Sequence, residues 1–298
     1  MTSPVADPLE AAYGVASAFP ALQVAAERVA ATVALGVHGR RRIGRGETFW
    51  QFRRYQYGDP AQLIDWRRSA RSHRYYVRQT EWEASQTVSL WVDGSPSMAW
   101  ASLPSVPEKR HRGALLMLAL AILLRRAGER TAALGLPLST DGPEGLARLG
   151  QALYEGPAET DGLPPVLPPP PAYSRVVLAG DFLAPVAALE PALRTLAARP
   201  VTGHLVQIID PAEEDFPYDG RVDFHGLEGE TPRLFDRTRA IRDTYREAFA
   251  AHQREIAGLA ARMGWRFTTH RTDHSPETVL LTLYQQLAAD GSGVQVRC

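Results

Sequence analysis

Three apolar runs of this chain each stop at an aspartate: T-V-S-L-W-V before Asp93, R-V-V-L-A-G before Asp181 and G-H-L-V-Q-I-I before Asp210. Stretches of helical composition separate them, and this alternation constrains the fold more than any other feature. Short β-prone runs separated by helices read as parallel strands joined by right-handed crossovers, with helices on both faces of one sheet. V-V-L-A and L-V-Q-I-I suit strands buried on both sides. Ligands of open α/β sheets bind beyond the carboxyl ends of the strands. The run Asp93-Gly94-Ser95-Pro96-Ser97 is therefore where a site is expected, because one carboxylate and two hydroxyls offer oxygens to a hard cation such as Mg²⁺.

The same reading places strands at 87–92, 131–138, 175–180, 203–209 and 265–270, and helices at 108–128, 144–154, 186–198, 237–263 and 276–289. Gly128 and Gly264 stand where helix-ending glycines belong. A proline-rich run, 163–171, is an extended connector. Residues 211–236 are mixed, with a hairpin expected to turn at Glu228-Gly229-Glu230. Ahead of the sheet, residues 8–37 read as an alanine-rich helical arm divided by Pro20, with Leu22, Ala25, Val29, Val33 and Leu35 on one face. The expected organisation is a helical segment at 1–37, a β-rich module at 38–86, an α/β domain at 87–290 and a tail at 291–298.

The module at 38–82 carries eleven arginines against four acids, with nine aromatics interleaved, and Tyr75–Thr80 reads as a strand. Single-stranded nucleic acid is bound by surfaces of that composition, so a nucleic-acid module is one reading. The other is a self-satisfied β unit in which Asp59 and Asp65 pair with Arg54, Arg67 or Arg71 and hold buried guanidinium groups.

Zero formal net charge points to neither nucleic acid nor an anionic membrane as a global partner. The single cysteine, Cys298, excludes an internal disulfide and a cysteine-rich metal site, which fits a reducing cytoplasm. The most apolar segment, Gly113–Leu124, is too short to span a bilayer and reads as a buried helix. There is no basic leader before an apolar core at the N-terminus. Catalytic signatures are missing: Gly94-Ser95-Pro96-Ser97 is not a nucleophile elbow. The only lysine, Lys109, lies in no phosphate loop, and the eight histidines form no H-E-x-x-H helix. The expectation is a protein that is not an enzyme, with a metal-assisted hydrolase as an alternative.

Two stretches resemble known patterns. G-R-R-R-I-G-R-G-E-T-F, R-R-Y-Q-Y-G-D-P and L-I-D-W-R-R-S-A-R, within Gly39–Arg78, are similar to the signature of the domain of unknown function 58 family. D-G-S-P-S at 93–97, directly after it, resembles the metal-ion-dependent adhesion site of von Willebrand factor A-like domains. The resemblance implies a von Willebrand factor A-like, Rossmann-type sheet flanked by helices, with a small β-rich arginine/aromatic module before it. It implies a metal set of Asp93, Ser95, Ser97 and Asp181, completed by a threonine, Thr160 or else Thr140. It also implies a divalent cation such as Mg²⁺, a non-enzymatic adaptor role, and a MoxR-type AAA+ ATPase as partner in complex assembly.

Overall fold

The computed structural model describes residues 22–34, 49–55, 64–71, 74–80, 86–136, 142–155, 162–227, 229 and 231–290. Thr140, Thr160, Asp59, Glu228, Glu230, the N-terminal piece of the helical arm and the 291–298 tail lie outside the described residues. The chain divides into two compact units, one of residues 41–85 and one of residues 1–40 with 86–298.

In the smaller unit, β1 (Phe49–Arg54) and β2 (Tyr76–Thr80) pair antiparallel, with Phe52 opposite Arg78. A one-turn helix, α2 (Trp66–Ser69), lies between them in sequence. The buried Ser69 hydroxyl accepts the Tyr76 N–H at 3.0 Å and ties the helix to the strand. The role expected for Asp65 is corrected here. Its Oδ1 accepts the Arg68 N–H at 2.8 Å and caps α2, while Arg67 and Arg71 are exposed and need no buried counter-ion.

The first described element of the larger unit is α1 (residues 22–34), whose buried face is Leu22, Ala26, Val29, Ala30 and Val33. Five parallel strands follow: β3 (Thr87–Val92), β4 (Arg130–Ala133), β5 (Arg175–Gly180), β6 (Thr202–Ile209) and, much later, β9 (Arg266–Arg271). Their order across the sheet is β4-β3-β5-β6-β9. Successive residues of a strand face opposite sides. Leu90, Val92, Val177, Ala179, Val206 and Ile208 thus enter one core, and Trp91, Val176, Leu178 and Leu205 the other.

The first face is covered by α3 (Lys109–Arg126), α4 (Gly142–Glu155), α8 (Pro276–Asp290) and α1. Every residue of α3 from Gly113 to Leu124 is buried, so the apolar run is the central helix of this layer. No described helix is long and apolar enough to cross a membrane. The opposite face carries α5 (Val186–Ala197) and α7 (Thr238–Arg262). A short α6 (Pro211–Asp215) and a hairpin of β7 (Val222–Phe224) and β8 (Arg233–Phe235) separate β6 from α7.

This is a Rossmann-like mixed α/β arrangement around a parallel sheet. Strand β4 is shorter than its sequence suggests. The chain turns at Leu134-Gly135, where Gly135 has φ +79°, a conformation glycine adopts without strain.

On the edge strand β9, His270 is 4% exposed, and its Nε2 has no hydrogen-bond partner among the described residues. Burial, then Arg112 and His274, push its pKa down from 6.5 to about 4, against a weaker upward pull from Asp273. The folded chain keeps the ring neutral while the unfolded chain protonates it near the ordinary value. Its contribution is therefore complete above pH 6.5 and is lost as the pH falls toward about 4. That loss amounts to about 2–3 kcal/mol. Urea unfolding of His270→Gln at about pH 7 and about pH 4.5 should show a smaller drop than wild type. Equal drops in the two proteins would refute the assignment.

Candidate functional site

In the strand order, β3 is the first strand of the sheet and has β4 on one side and β5 on the other. The crossover leaving β3 runs to β4 on one side and the crossover leaving β5 runs to β6 on the other, which opens a crevice at the carboxyl ends of β3 and β5, the usual ligand position in such sheets. Asp93 follows β3 and Asp181 follows β5, so the topology itself brings the two together. The Asp93 N–H donates to the Ala179 carbonyl at 2.8 Å, which carries the sheet ladder one residue past the strand. A Cβ on Gly180 would lie 3.0 Å from the Asp93 Cβ, so the small residue before Asp181 lets the strand ends close up.

The sequence-predicted residues converge. Asp93, Ser95 and Asp181 are buried, and Ser97 is half-buried. The Ser95 N–H donates to Asp93 Oδ1 at 2.8 Å. The Ser97 hydroxyl donates to Asp181 Oδ2 at 2.7 Å. Its single proton is thereby used, so the 3.1 Å contact between the two serine hydroxyls is a bond donated by Ser95. Asp181 Oδ1 accepts the Leu183 N–H at 3.2 Å.

The turn after β5 is held from two sides. Gln207 donates to the Asp181 carbonyl at 2.9 Å, and His252 Nε2 donates to the Phe182 carbonyl at 2.8 Å. Phe182 is buried in the left-handed region, φ +51°, a conformation that costs about 1 kcal/mol or more for a non-glycine residue. These bonds and the apolar packing of its ring maintain that shape and aim Asp181 at the β3 loop.

Three further residues belong to the cluster and are not among the site residues expected from the sequence. Lys109, the first residue of α3, is 1% exposed, and its ammonium lies 2.8 Å from Asp181 Oδ2. It also bonds Glu213 of α6. Burial alone would lower the Lys109 pKa, but the carboxylates of Asp181 and Glu213 outweigh it and hold the ammonium above its ordinary value. Glu213 lies above the usual carboxylate range because burial outweighs the pull of Lys109.

Asp210 completes the set at the end of β6. Its Oδ1 accepts the Ala212 N–H at 2.8 Å, its Oδ2 accepts the Ser102 N–H at 2.9 Å, and its own N–H donates to Glu213 Oε2 at 2.9 Å. Asp210 and Glu213 thus form a capping box that fixes α6 and presents Glu213 to the lysine. The pattern D-P-A-E carries that box in the sequence, and the only lysine among 33 Lys and Arg residues was the other available signal.

The opposite flank of α6 is anchored by Arg271, which bonds Glu214 at 2.8 Å and Asp215 at 3.0 Å. Behind it Phe216, Tyr218 and Tyr245 form an aromatic wall, with Phe216 and Tyr245 ring centroids 4.5 Å apart. Burial, then Glu213 and Tyr218, push the Tyr245 phenol up to about 12.

The metal set implied by resemblance is brought together as far as Asp93, Ser95, Ser97 and Asp181, with Thr160 outside the described residues. The Asp181 oxygen turned toward the cluster is shared by Lys109 and Ser97, and a second cation beside a buried ammonium meets like-charge repulsion in a medium that screens poorly. Among the described residues no group of three or more His, Cys, Asp or Glu is arranged to hold a metal ion. Neither serine has a histidine among its hydrogen-bond partners in the described residues.

Comparison with known proteins gives a consistent family picture. Uncharacterised proteins of Mycobacterium bovis and Mycobacterium tuberculosis are 27% identical over 245 residues, covering 77% of this chain and 76% of theirs. No solved structure matches the chain. A family model described as a protein of unknown function, DUF58, matches residues 51–255, which take in most of β1, the smaller unit's helix and the whole Asp93–Lys109–Asp181–Glu213 cluster. On that match the chain belongs to the DUF58 family.

Proposed function

We propose that this protein is a non-enzymatic interaction protein with a von Willebrand factor A-like larger unit, which docks a protein partner on the carboxyl-end face of its sheet. The observation that carries the reading is the contrast between the cluster and its rim. The polar groups of Asp181, Ser97, Lys109 and Glu213 are bonded to one another in a buried network, which favours a rigid scaffold over a reacting centre. Around it, apolar side chains face solvent. Leu183 is 42% exposed two residues after Asp181, and Leu103 is 54% exposed beside Ser102, whose amide bonds Asp210. Exposed apolar residues around a polar centre suit a protein interface.

The family resemblance supplies the partner class, a MoxR-type AAA+ ATPase encoded in the same host. The test is direct binding of that purified ATPase to the full chain by calorimetry. Leu103→Asp with Leu183→Asp should weaken binding at least roughly tenfold without lowering the melting temperature, because both side chains already face water. No binding by wild type, or equal binding by the double variant, would remove this reading.

A further inference from the structure

We propose that Lys109 is the built-in cation of the Asp93 site, supplying from the protein the positive charge that an acid–serine loop would otherwise draw from a divalent metal. Four observations support it. The ammonium shares Asp181 Oδ2 with the Ser97 hydroxyl, at 2.8 and 2.7 Å, so one carboxylate oxygen joins it to the Asp93 loop. A second carboxylate, Glu213, meets it from α6 and is itself fixed by the Asp210 capping box.

The side chain is enclosed at the first turn of α3, where the helix dipole is unfavourable to a cation. The helix dipole and burial both oppose a charged lysine there, and the two carboxylates favour it. The chain uses arginine at every other strongly basic position. A guanidinium is a planar fork, whereas an ammonium is a compact point charge with three donors, the shape that fits a closed space between oxygens from two directions.

The consequence is a metal-independent site. This concerns how the cluster is charged, and it stands or falls separately from the partner reading. The probe is Mn²⁺ alone, titrated into the full chain and followed by the electron paramagnetic resonance of the free ion, with melting curves in Mg²⁺ and in chelator. Wild type should bind no Mn²⁺ at millimolar concentration, and its melting temperature should not move with chelator. Lys109→Met, which empties the position while keeping most of the volume, should gain Mn²⁺ affinity by at least roughly tenfold and recover melting temperature as the ion is added. Stoichiometric Mn²⁺ binding by wild type, abolished in Asp93→Asn, would overturn the proposal. So would a folded Lys109→Met that gains no affinity. The wild-type arm decides the matter even where Lys109→Met fails to fold.

Discussion

Lys109→Met is expected to destabilise the protein by about 3–5 kcal/mol, because removing one partner of a buried ion pair leaves the other uncompensated. The substitution is close to volume-conserving, so packing changes little and the electrostatic loss dominates. Two carboxylates lose their partner together. Asp181 is 4% exposed, and Glu213 already has a raised pKa while the ammonium is present. Neither can recover its hydration without opening the turn after β5 or unseating α6. In a chain of this size the loss corresponds to roughly 10 °C in melting temperature.

Two companion variants separate charge from packing. Lys109→Met combined with Asp181→Asn and Glu213→Gln removes the uncompensated charges and should recover part of the loss. Lys109→Arg keeps the charge but needs more room and a planar bonding partner, so it should not restore wild-type stability. A Lys109→Met protein that melts with wild type would mean that the ammonium carries no structural weight at the site.

Strand β3 and the Asp93 loop are legible in the sequence because an apolar run and a terminal Asp are local signals. The strands at 87–92 and 175–180 are found with the bounds expected for them, since runs buried on both faces leave little choice of secondary structure. That Asp93 and Asp181 meet also follows from topology, once both are placed at the ends of adjacent parallel strands.

Lys109 and Glu213 were not readable in the same way. A lysine before G-A-L-L-M-L looks like the exposed first turn of a buried helix. Only the β3–α3 loop, closed by the Lys109 N–H to the Trp100 carbonyl at 3.2 Å, turns it inward. Helix α6 is five residues long, too short for hydrophobic periodicity to show, and only its capping box marks it. The role of Asp65 was misjudged for a related reason: an aspartate before arginines reads equally as an ion pair or as a cap, and the choice depends on whether those arginines are buried.

Gly203→Ala should cost about 3 kcal/mol or more, at the upper end of what overpacking a core produces. Replacing a strand glycine by alanine is ordinarily mildly favourable, since it restricts the unfolded chain. Gly203 does not have a left-handed backbone that alanine would resist, so the sign is decided by space alone. An added Cβ would lie 1.9 Å from Trp265 Cδ2 and 2.1 Å from Cε3, well inside contact distance. The ring cannot swing away freely. Trp265 is 5% exposed and packs in one core with Leu205, Ile256, Leu259 and Ala260, and its backbone N–H donates to the Ala260 carbonyl at 2.9 Å. Relief must come from moving β6 against β9, and β6 carries Gln207 and Asp210 into the site. The collision is testable as a coupling. Trp265→Leu is destabilising by itself, but it empties the space the new methyl needs. In urea unfolding, the double variant should then be less destabilised than the sum of the single variants by about 1–3 kcal/mol. Strict additivity would show that Gly203 and Trp265 do not compete for the same volume.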